Sequence, residues 1–221
     1  MSFKVDTFNP TTFNLTLSVL LKYDPKTLAH IESMQDKITQ GLHYSTTPNG
    51  HSLYKYFAES LHFSIINFAT EEATDRGEFE RKYIKLIARV SNEIPKFLDF
   101  FRSLEFNVGE TQHIEGYSEV SMPICLKNNM KKGQLYKTLE PLIKLSEVKD
   151  KNKILKFYND KNFAMNLVRV FRSLGSNEKK SLEVKANQKI KRFDLRISRL
   201  SLVISDNYLS NLNPEITHFL L

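Results

Sequence analysis

Tryptophan is absent from this sequence, and cysteine occurs only once, as Cys125, among 221 residues. One cysteine excludes an internal disulfide and any metal site that needs several thiolates. Sixteen phenylalanines and nine tyrosines supply the large side chains of a core. The chain is long enough to form one sizeable core or two small lobes without cross-links.

Glycine is also scarce, with seven residues, which argues against loops that cradle phosphate groups through a glycine-rich backbone. The sequence has no Walker A motif, no HExxH pair, no GxSxG turn and no glycine-rich dinucleotide turn. The sequence therefore gives no support for the classes of nucleotide-binding and hydrolytic enzymes that these motifs identify. We expect no metal ion and no cofactor.

Long apolar runs are missing as well. No uninterrupted apolar stretch reaches the roughly twenty residues that a membrane-spanning helix needs. The first ten residues, MSFKVDTFNP, do not place a basic segment before an apolar one, as a secretory signal does. We therefore expect a cytoplasmic protein that does not associate with membranes.

Positive charge, in contrast, is in excess. The formal net charge is +7 and the pI is about 9.3, and lysine is frequent in residues 127–137 and 149–161. This balance favours an acidic partner, such as RNA or another oligonucleotide. A lysine-rich surface that is merely solvated is the alternative explanation.

Hydrophobic periodicity predicts strands and helices in alternation. The strands are predicted at residues 12–21, 60–69, 117–126, 162–171, 181–190, 192–206 and 215–221. Pro123 indicates an edge strand or a bulge. Helices are predicted after the N-cap and proline pair Asp24-Pro25, along the apolar stripe of residues 79–90, around residues 94–101, and over residues 135–143 with a kink or restart at Pro141.

The order of these elements is similar in the two parts of the chain. It predicts an α+β fold with two pseudo-symmetric lobes of antiparallel sheet and helices packed on the outer faces. No long linker separates independent units. We therefore predict a single two-lobed domain over residues 1–221, with approximate halves 1–110 and 111–221.

Two predicted strands, one in each half of the chain, share a pattern of apolar and polar residues. Placing LHFSIINF (61–68) over FAMNLVRV (163–170) matches apolar residues at five positions. The same alignment pairs His62 with Ala164 and Ser64 with Asn166. It also pairs Asn67 with Arg169.

Side chains alternate between the two faces of a strand, so His62 and Ser64 point the same way. Ala164 and Asn166 do likewise. If the two strands lie side by side, these four residues face one shared groove. The same alternation predicts that Arg169 points away from the groove.

The stretch LHFSI resembles the first signature of the 2H phosphoesterases, which include 2′-5′ RNA ligase-like proteins and cyclic phosphodiesterases. That signature is an apolar residue, histidine, an apolar residue, threonine or serine, and another apolar residue, once in each lobe. The closing stretch FDLRISRLSLVISDNYL is similar to a late strand of such proteins. The resemblance implies that His62 is a catalytic acid or base and that Ser64 contacts the substrate phosphate.

The second signature departs from the family pattern, because Ala164 stands where the resemblance places a second histidine. Alanine cannot transfer a proton, although Asn166 can still donate a hydrogen bond to a phosphate. Losing one acid or base group lowers a rate by about a hundredfold to ten-thousandfold. No replacement is evident among the other histidines, which include His43, His51, His113 and His218.

Two versions of the function stay open on this basis. The groove recognises a phosphodiester in RNA or in a short 2′-5′-linked or cyclic oligonucleotide, and either hydrolyses it slowly or has lost catalysis. The alternative is a non-catalytic RNA- or protein-binding module that uses a basic surface. In that case replacing His62 changes nothing, whereas reversing the charges of lysines around Lys131 and Lys153 abolishes binding.

Overall fold

A computed structural model describes the chain at residues 11–45, 53–57, 60–109, 112–113, 119–127, 132–156, 162–170, 174–186, 193–206 and 215–221. The strands within these ranges are β1 (Thr12–Leu20), β2 (Tyr44–Ser45), β3 (Leu53–Lys55), β4 (His62–Glu72), β5 (Phe106–Val108), β6 (Gln112–His113), β7 (Glu119–Leu126), β8 (Asn162–Val170), β9 (Phe193–Leu195), β10 (Arg199–Asp206) and β11 (Glu215–Leu220). The α-helices are α1 (Pro25–Thr39), α2 (Arg76–Glu93), α3 (Leu98–Ser103), α4 (Lys132–Thr138), α5 (Glu140–Ile143) and α6 (Ser176–Ala186).

These strands form two sheets, which confirms the predicted α+β fold with two lobes. The first sheet has the order β11-β10-β1-β4, and the second has the order β2-β3-β8-β7-β5-β9 with β6 beside β7. Pairing is antiparallel throughout both, except for the two-residue parallel contact of β2 with β3. Each sheet takes strands from before and after residue 110, so neither sheet is formed by one half of the chain.

Helix α1 begins as its sequence predicts. The Asp24 carboxylate accepts hydrogen bonds from the backbone N–H of Thr27 at 3.2 Å and from its hydroxyl at 2.7 Å, and Pro25 occupies the first turn. The restart at Pro141 is also confirmed, because α4 ends at Thr138 and α5 begins at Glu140.

The strand predicted at residues 181–190 is wrong, because the described part of this segment belongs to helix α6. Leu182 and Ala186 are four residues apart and both are fully buried, whereas Lys180 and Val184 are exposed. That spacing fits one side of a helix. The short apolar alternation in SLEV is equally compatible with either element, and burial decides in favour of the helix.

Pro123 lies in a central strand instead of the predicted edge or bulge. Strand β7 pairs with β8 on one side and with β5 and β6 on the other. The Pro123 carbonyl accepts a hydrogen bond from Gly109 N–H at 2.8 Å, just beyond the end of β5. Because a strand residue directs its N and C=O to the same side, the missing N–H of Pro123 falls in the gap between β5 and β6.

Three phenylalanines join the two sheets where β4 and β8 are in contact. Phe63 lies on β4, Phe106 on β5 and Phe163 on β8, and each is at most 1% exposed. Their ring centroids are 5.5, 5.7 and 6.1 Å apart, within the range of favourable aromatic pairs. Phe63 directly follows His62, and Phe163 directly precedes Ala164. The contact between the two rings therefore holds β4 and β8 together next to the candidate residues.

Among the described residues, no helix is both long and apolar enough to cross a membrane.

Candidate functional site

A cavity of about 280 Å³ receives side chains from both sheets. From the first sheet it is lined by Asn14, Thr16, His62, Ser64, Ser205 and Asp206, and from the second by Ala164, Asn166 and Arg169. Lys156 completes the lining. The structure therefore brings His62, Ser64, Ala164 and Asn166 to one cavity, and their functional roles stay predictions.

Matching β-bulges explain how both strands present this cavity face. In the pairing of β4 with β1, Ser64 lies opposite Ser18 and Ile66 opposite Leu17, so Ile65 is an extra residue. A bulge shifts the alternation of side chains by one position.

The second strand repeats this irregularity at the aligned position. Asn166 lies opposite Ser121 and Val168 opposite Val120, so Leu167 is the extra residue of β8. Ile65 and Leu167 are equivalent in the alignment of the two segments, and both are fully buried. The likeness of the two strands thus extends from residue type to backbone geometry.

The prediction that Arg169 points away from the groove is wrong, and the bulge is the reason. Simple alternation from Asn166 would put residue 168 on the cavity face, but the extra Leu167 puts Arg169 there. The Arg169 guanidinium donates a hydrogen bond to the Glu119 carboxylate at 2.6 Å. Arg169 is 8% exposed, so this ion pair sits in the wall of the cavity.

His62 is held in one orientation by its own backbone neighbourhood. Its Nδ1 lies 2.8 Å from the Ser60 carbonyl oxygen, and because a carbonyl can only accept, Nδ1 carries the proton. The other ring nitrogen, Nε2, is then the unprotonated one. Burial and the positive charge of Lys156, partly offset by the Ser60 hydrogen bond, lower the pKa of His62 to about 4. His62 is therefore a neutral base at pH 7.

A row of hydrogen-bonded hydroxyl groups runs from Ser64 across the first sheet. Ser64 Oγ lies 3.0 Å from Ser18 Oγ, which lies 2.9 Å from Thr16 Oγ1. Three hydroxyl groups share these two hydrogen bonds, so one proton of the row is left to donate to an anion in the cavity. Ser64 is thus positioned to contact a phosphate, as the resemblance implies.

Asn166 is oriented by a partner on the neighbouring strand. Ser121 Oγ donates a hydrogen bond to Asn166 Oδ1 at 2.8 Å. With the amide oxygen engaged, the Nδ2 group has two protons to donate. This arrangement suits an anionic ligand in the cavity.

Lys156 is one of the cavity residues that the sequence analysis missed, together with Asn14, Thr16, Ser205 and Asp206. It lines the cavity although the residue as a whole is exposed. Desolvation of its ammonium group and the nearby charge of Lys153 lower its pKa below the usual value. Lys156 lies in a lysine-rich stretch without periodicity and some ninety residues from His62, so neither pattern nor proximity in sequence identifies it.

His30, His43 and His218 do not line this cavity. His218 lies on β11 with Nδ1 3.7 Å from a Glu215 oxygen, and His30 packs against Phe193. His51 is outside the described residues. No group of three histidine, cysteine, aspartate or glutamate side chains among the described residues could hold a metal ion.

Acidification is expected to destabilise the protein by about 2 kcal/mol between pH 7 and pH 4 through His62 alone, allowing for its partial exposure. An unfolded histidine titrates near pH 6.5, whereas the folded pKa is about 4. Between these values the unfolded state binds a proton that the folded state does not. Stability is therefore lost as the pH falls below the unfolded pKa, and the loss is complete once the pH falls through the folded pKa.

Urea unfolding at pH 7, 6, 5 and 4 measures this effect. His62→Gln is the matched control, because glutamine can donate to the Ser60 carbonyl but does not titrate. The wild type should lose about 2 kcal/mol more than the variant over this range. Parallel losses in the two proteins would contradict the assignment.

No family model matches the chain, and no curated protein matches it. The solved structures that match the chain include the following two. The conserved protein of unknown function ATU0111 from Agrobacterium tumefaciens str. C58 is 12% identical, with 97% of this chain and 89% of that chain covered and a TM-score of 0.49. TT0787 of Thermus thermophilus is 11% identical, with 94% of each chain covered and a TM-score of 0.46.

Proposed function

We propose that the cavity binds a phosphodiester of RNA or of a short 2′-5′-linked or cyclic oligonucleotide and hydrolyses it slowly, as a relative of the 2H phosphoesterases. The observation that carries this proposal is the meeting of His62 and Ser64 with Ala164 and Asn166 in one cavity. These are the positions that the two aligned segments share with the family signature.

The chemistry of the lining supports an anionic ligand. Ser64 and Asn166 bring a hydroxyl and an amide, and Lys156 and Arg169 bring positive charge. Asp206 brings one buried carboxylate, and Glu119 balances Arg169. Because the two cations and the two carboxylates balance, the groups that suit the single negative charge and two unshared oxygens of a phosphodiester are the neutral donors of Ser64 and Asn166 together with the Lys156 ammonium.

The proposed reaction uses His62 as general base. Its Nε2 can accept a proton from water or from a ribose hydroxyl as that oxygen attacks phosphorus. A histidine that is neutral at pH 7 is ready for this step without prior deprotonation. The missing second histidine at Ala164 accounts for a slow reaction.

Asn166→Asp is expected to weaken oligonucleotide binding by about tenfold to a hundredfold. The substitution keeps the shape of the side chain but replaces two proton donors with a negative charge beside the phosphate. Asn92→Asp is the matched control, because it makes the same change at an exposed position on α2. Fluorescence anisotropy with a panel of 2′,3′-cyclic, 2′-5′-linked, 3′-5′-linked and cyclic oligonucleotides measures both variants.

The salt dependence of binding separates this proposal from a basic-surface module. A cavity that engages one phosphate gives a slope of log Kd against log salt near 1 or below, whereas a lysine-rich surface contributes about 0.7 per phosphate contacted and gives a steep slope. Reversing the charge of Lys153, which is exposed, tests that surface; Lys131 lies outside the described residues. Binding that is steep in salt and indifferent to Asn166→Asp would reject the cavity as the binding site.

A further inference from the structure

Hydrolysis of a phosphodiester needs a proton for the leaving oxygen as well as a base for the attacking one. The position that the resemblance assigns to that donor carries the methyl group of Ala164. Among the described residues that line the cavity, the cationic side chains are Lys156 and Arg169. Arg169 is bound to Glu119, and a guanidinium does not release its proton near neutral pH. Lys156 is the remaining cation.

Hydrogen bonds hold the backbone of Lys156 beside β4, the strand that carries His62. Its N–H donates to the Ile65 carbonyl at 3.0 Å, and Asn67 N–H donates to the Ile154 carbonyl at 2.7 Å. Leu155 forms an isolated bridge with Ile66. Ile154 and Leu155 are 4% and 1% exposed, so two buried side chains anchor the segment directly before Lys156. The bulge residue Ile65, which follows Ser64, receives this contact.

We propose that Lys156 is the catalytic general acid of this cavity and takes the role that Ala164 leaves unfilled. This inference rests on the proposed phosphodiesterase function. A water oxygen forms a bond to phosphorus and gives its proton to His62 Nε2. The bond from phosphorus to the leaving ribose oxygen breaks, its electron pair stays on that oxygen, and the oxygen takes a proton from Lys156 Nζ. Exchange with solvent then returns one proton to Lys156 and removes one from His62.

The charges around Lys156 favour this division of roles. The ionisable groups that line the cavity with it are His62, Arg169 and Asp206, and Lys153 acts on it from its own segment. The positive charge of Lys156 makes protonation of His62 less favourable and so lowers the pKa of His62. The proposed reaction starts with a proton on the lysine and none on the histidine, which is the state that acid and base catalysis require.

The test compares Lys156→Ala and Lys156→Arg on two esters. One is a dinucleotide with a ribose leaving group, and the other is a nitrophenyl ester of a nucleotide, whose leaving group departs without protonation. Both variants should lower kcat on the dinucleotide by about a hundredfold to ten-thousandfold, because arginine keeps the charge but cannot donate. On the nitrophenyl ester the loss should stay within about tenfold. Lys144→Ala, at an exposed ion pair with Glu140, is the control.

Three results would overturn the assignment. Lys156→Arg could keep the wild-type rate, the two esters could lose rate equally, or the wild type could bind oligonucleotides but cleave none. The third result leaves phosphodiester recognition standing, because binding and its loss in Asn166→Asp are measured separately. Absence of binding by every oligonucleotide would reject both proposals.

Discussion

Replacement of His62 by alanine is expected to lower kcat/KM for phosphodiester cleavage by about a hundredfold to ten-thousandfold. The side chain is the neutral base of the cavity, with Nδ1 bound to the Ser60 carbonyl and Nε2 left to accept a proton. Ser64 and Asn166 remain in the variant, so we expect the dissociation constant to change by less than about tenfold. Single-turnover cleavage and anisotropy, measured on the same oligonucleotide, separate the two effects.

His30→Ala is the control for this substitution, because His30 is exposed on α1 and packs against Phe193 instead of lining the cavity. It should leave cleavage unchanged. The pH profile adds a second readout. Since the pKa of His62 is lowered to about 4, the acid limb of kcat/KM, which reports the free protein, should lie well below pH 6.5. A wild-type acid limb near pH 6.5 would contradict the lowered pKa of His62, and full activity in His62→Ala would remove His62 from the mechanism.

Phe163→Ala is expected to destabilise the protein by about 3–5 kcal/mol. Phe163 is fully buried, and its ring meets Phe63 at 5.7 Å and Phe106 at 6.1 Å across the two sheets. Truncation removes the apolar contact and leaves a void where the lobes join. Such a loss is a large part of the total stability of a typical domain. Urea unfolding followed by circular dichroism measures it.

Ile84→Ala is the control, because Ile84 is 60% exposed and should cost less than about 0.5 kcal/mol. Phe163→Leu provides a milder variant that fills much of the void and keeps the measurement possible if alanine prevents folding. A cost below about 1 kcal/mol for Phe163→Ala would mean that the lobes are held together elsewhere.

The sequence predicts most of the fold because its apolar spacing is clear in the long elements. Strands β1, β4 and β8 and helices α1 and α2 all carry regular patterns, and the structure has them close to the predicted bounds, whereas the single strand predicted at 192–206 is divided into β9 and β10. Helix α6 escapes prediction because SLEV alternates over only four residues. Pro123 misleads because proline is usually confined to edges, whereas here a break between two partner strands accommodates it.

The candidate site was predictable only as far as strict alternation holds. His62, Ser64, Ala164 and Asn166 precede the bulges, and simple two-residue periodicity puts them on the cavity face. Arg169 follows a bulge, and a two-residue periodicity cannot anticipate the extra residue that the bulge inserts. Lys156 comes from an irregular segment whose approach to β4 depends on long-range hydrogen bonds.

The matched bulges also change how relatives of this chain should be sought. Because Ile65 and Leu167 each add one residue, each segment presents one face at residues spaced by two and then by three: His62, Ser64 and Asn67 in β4, and Ala164, Asn166 and Arg169 in β8. All of these except Asn67 line the cavity. A search restricted to the first two residues of each set therefore ignores Arg169. The two sets differ at every position, and the third carries an amide in β4 and a guanidinium in β8.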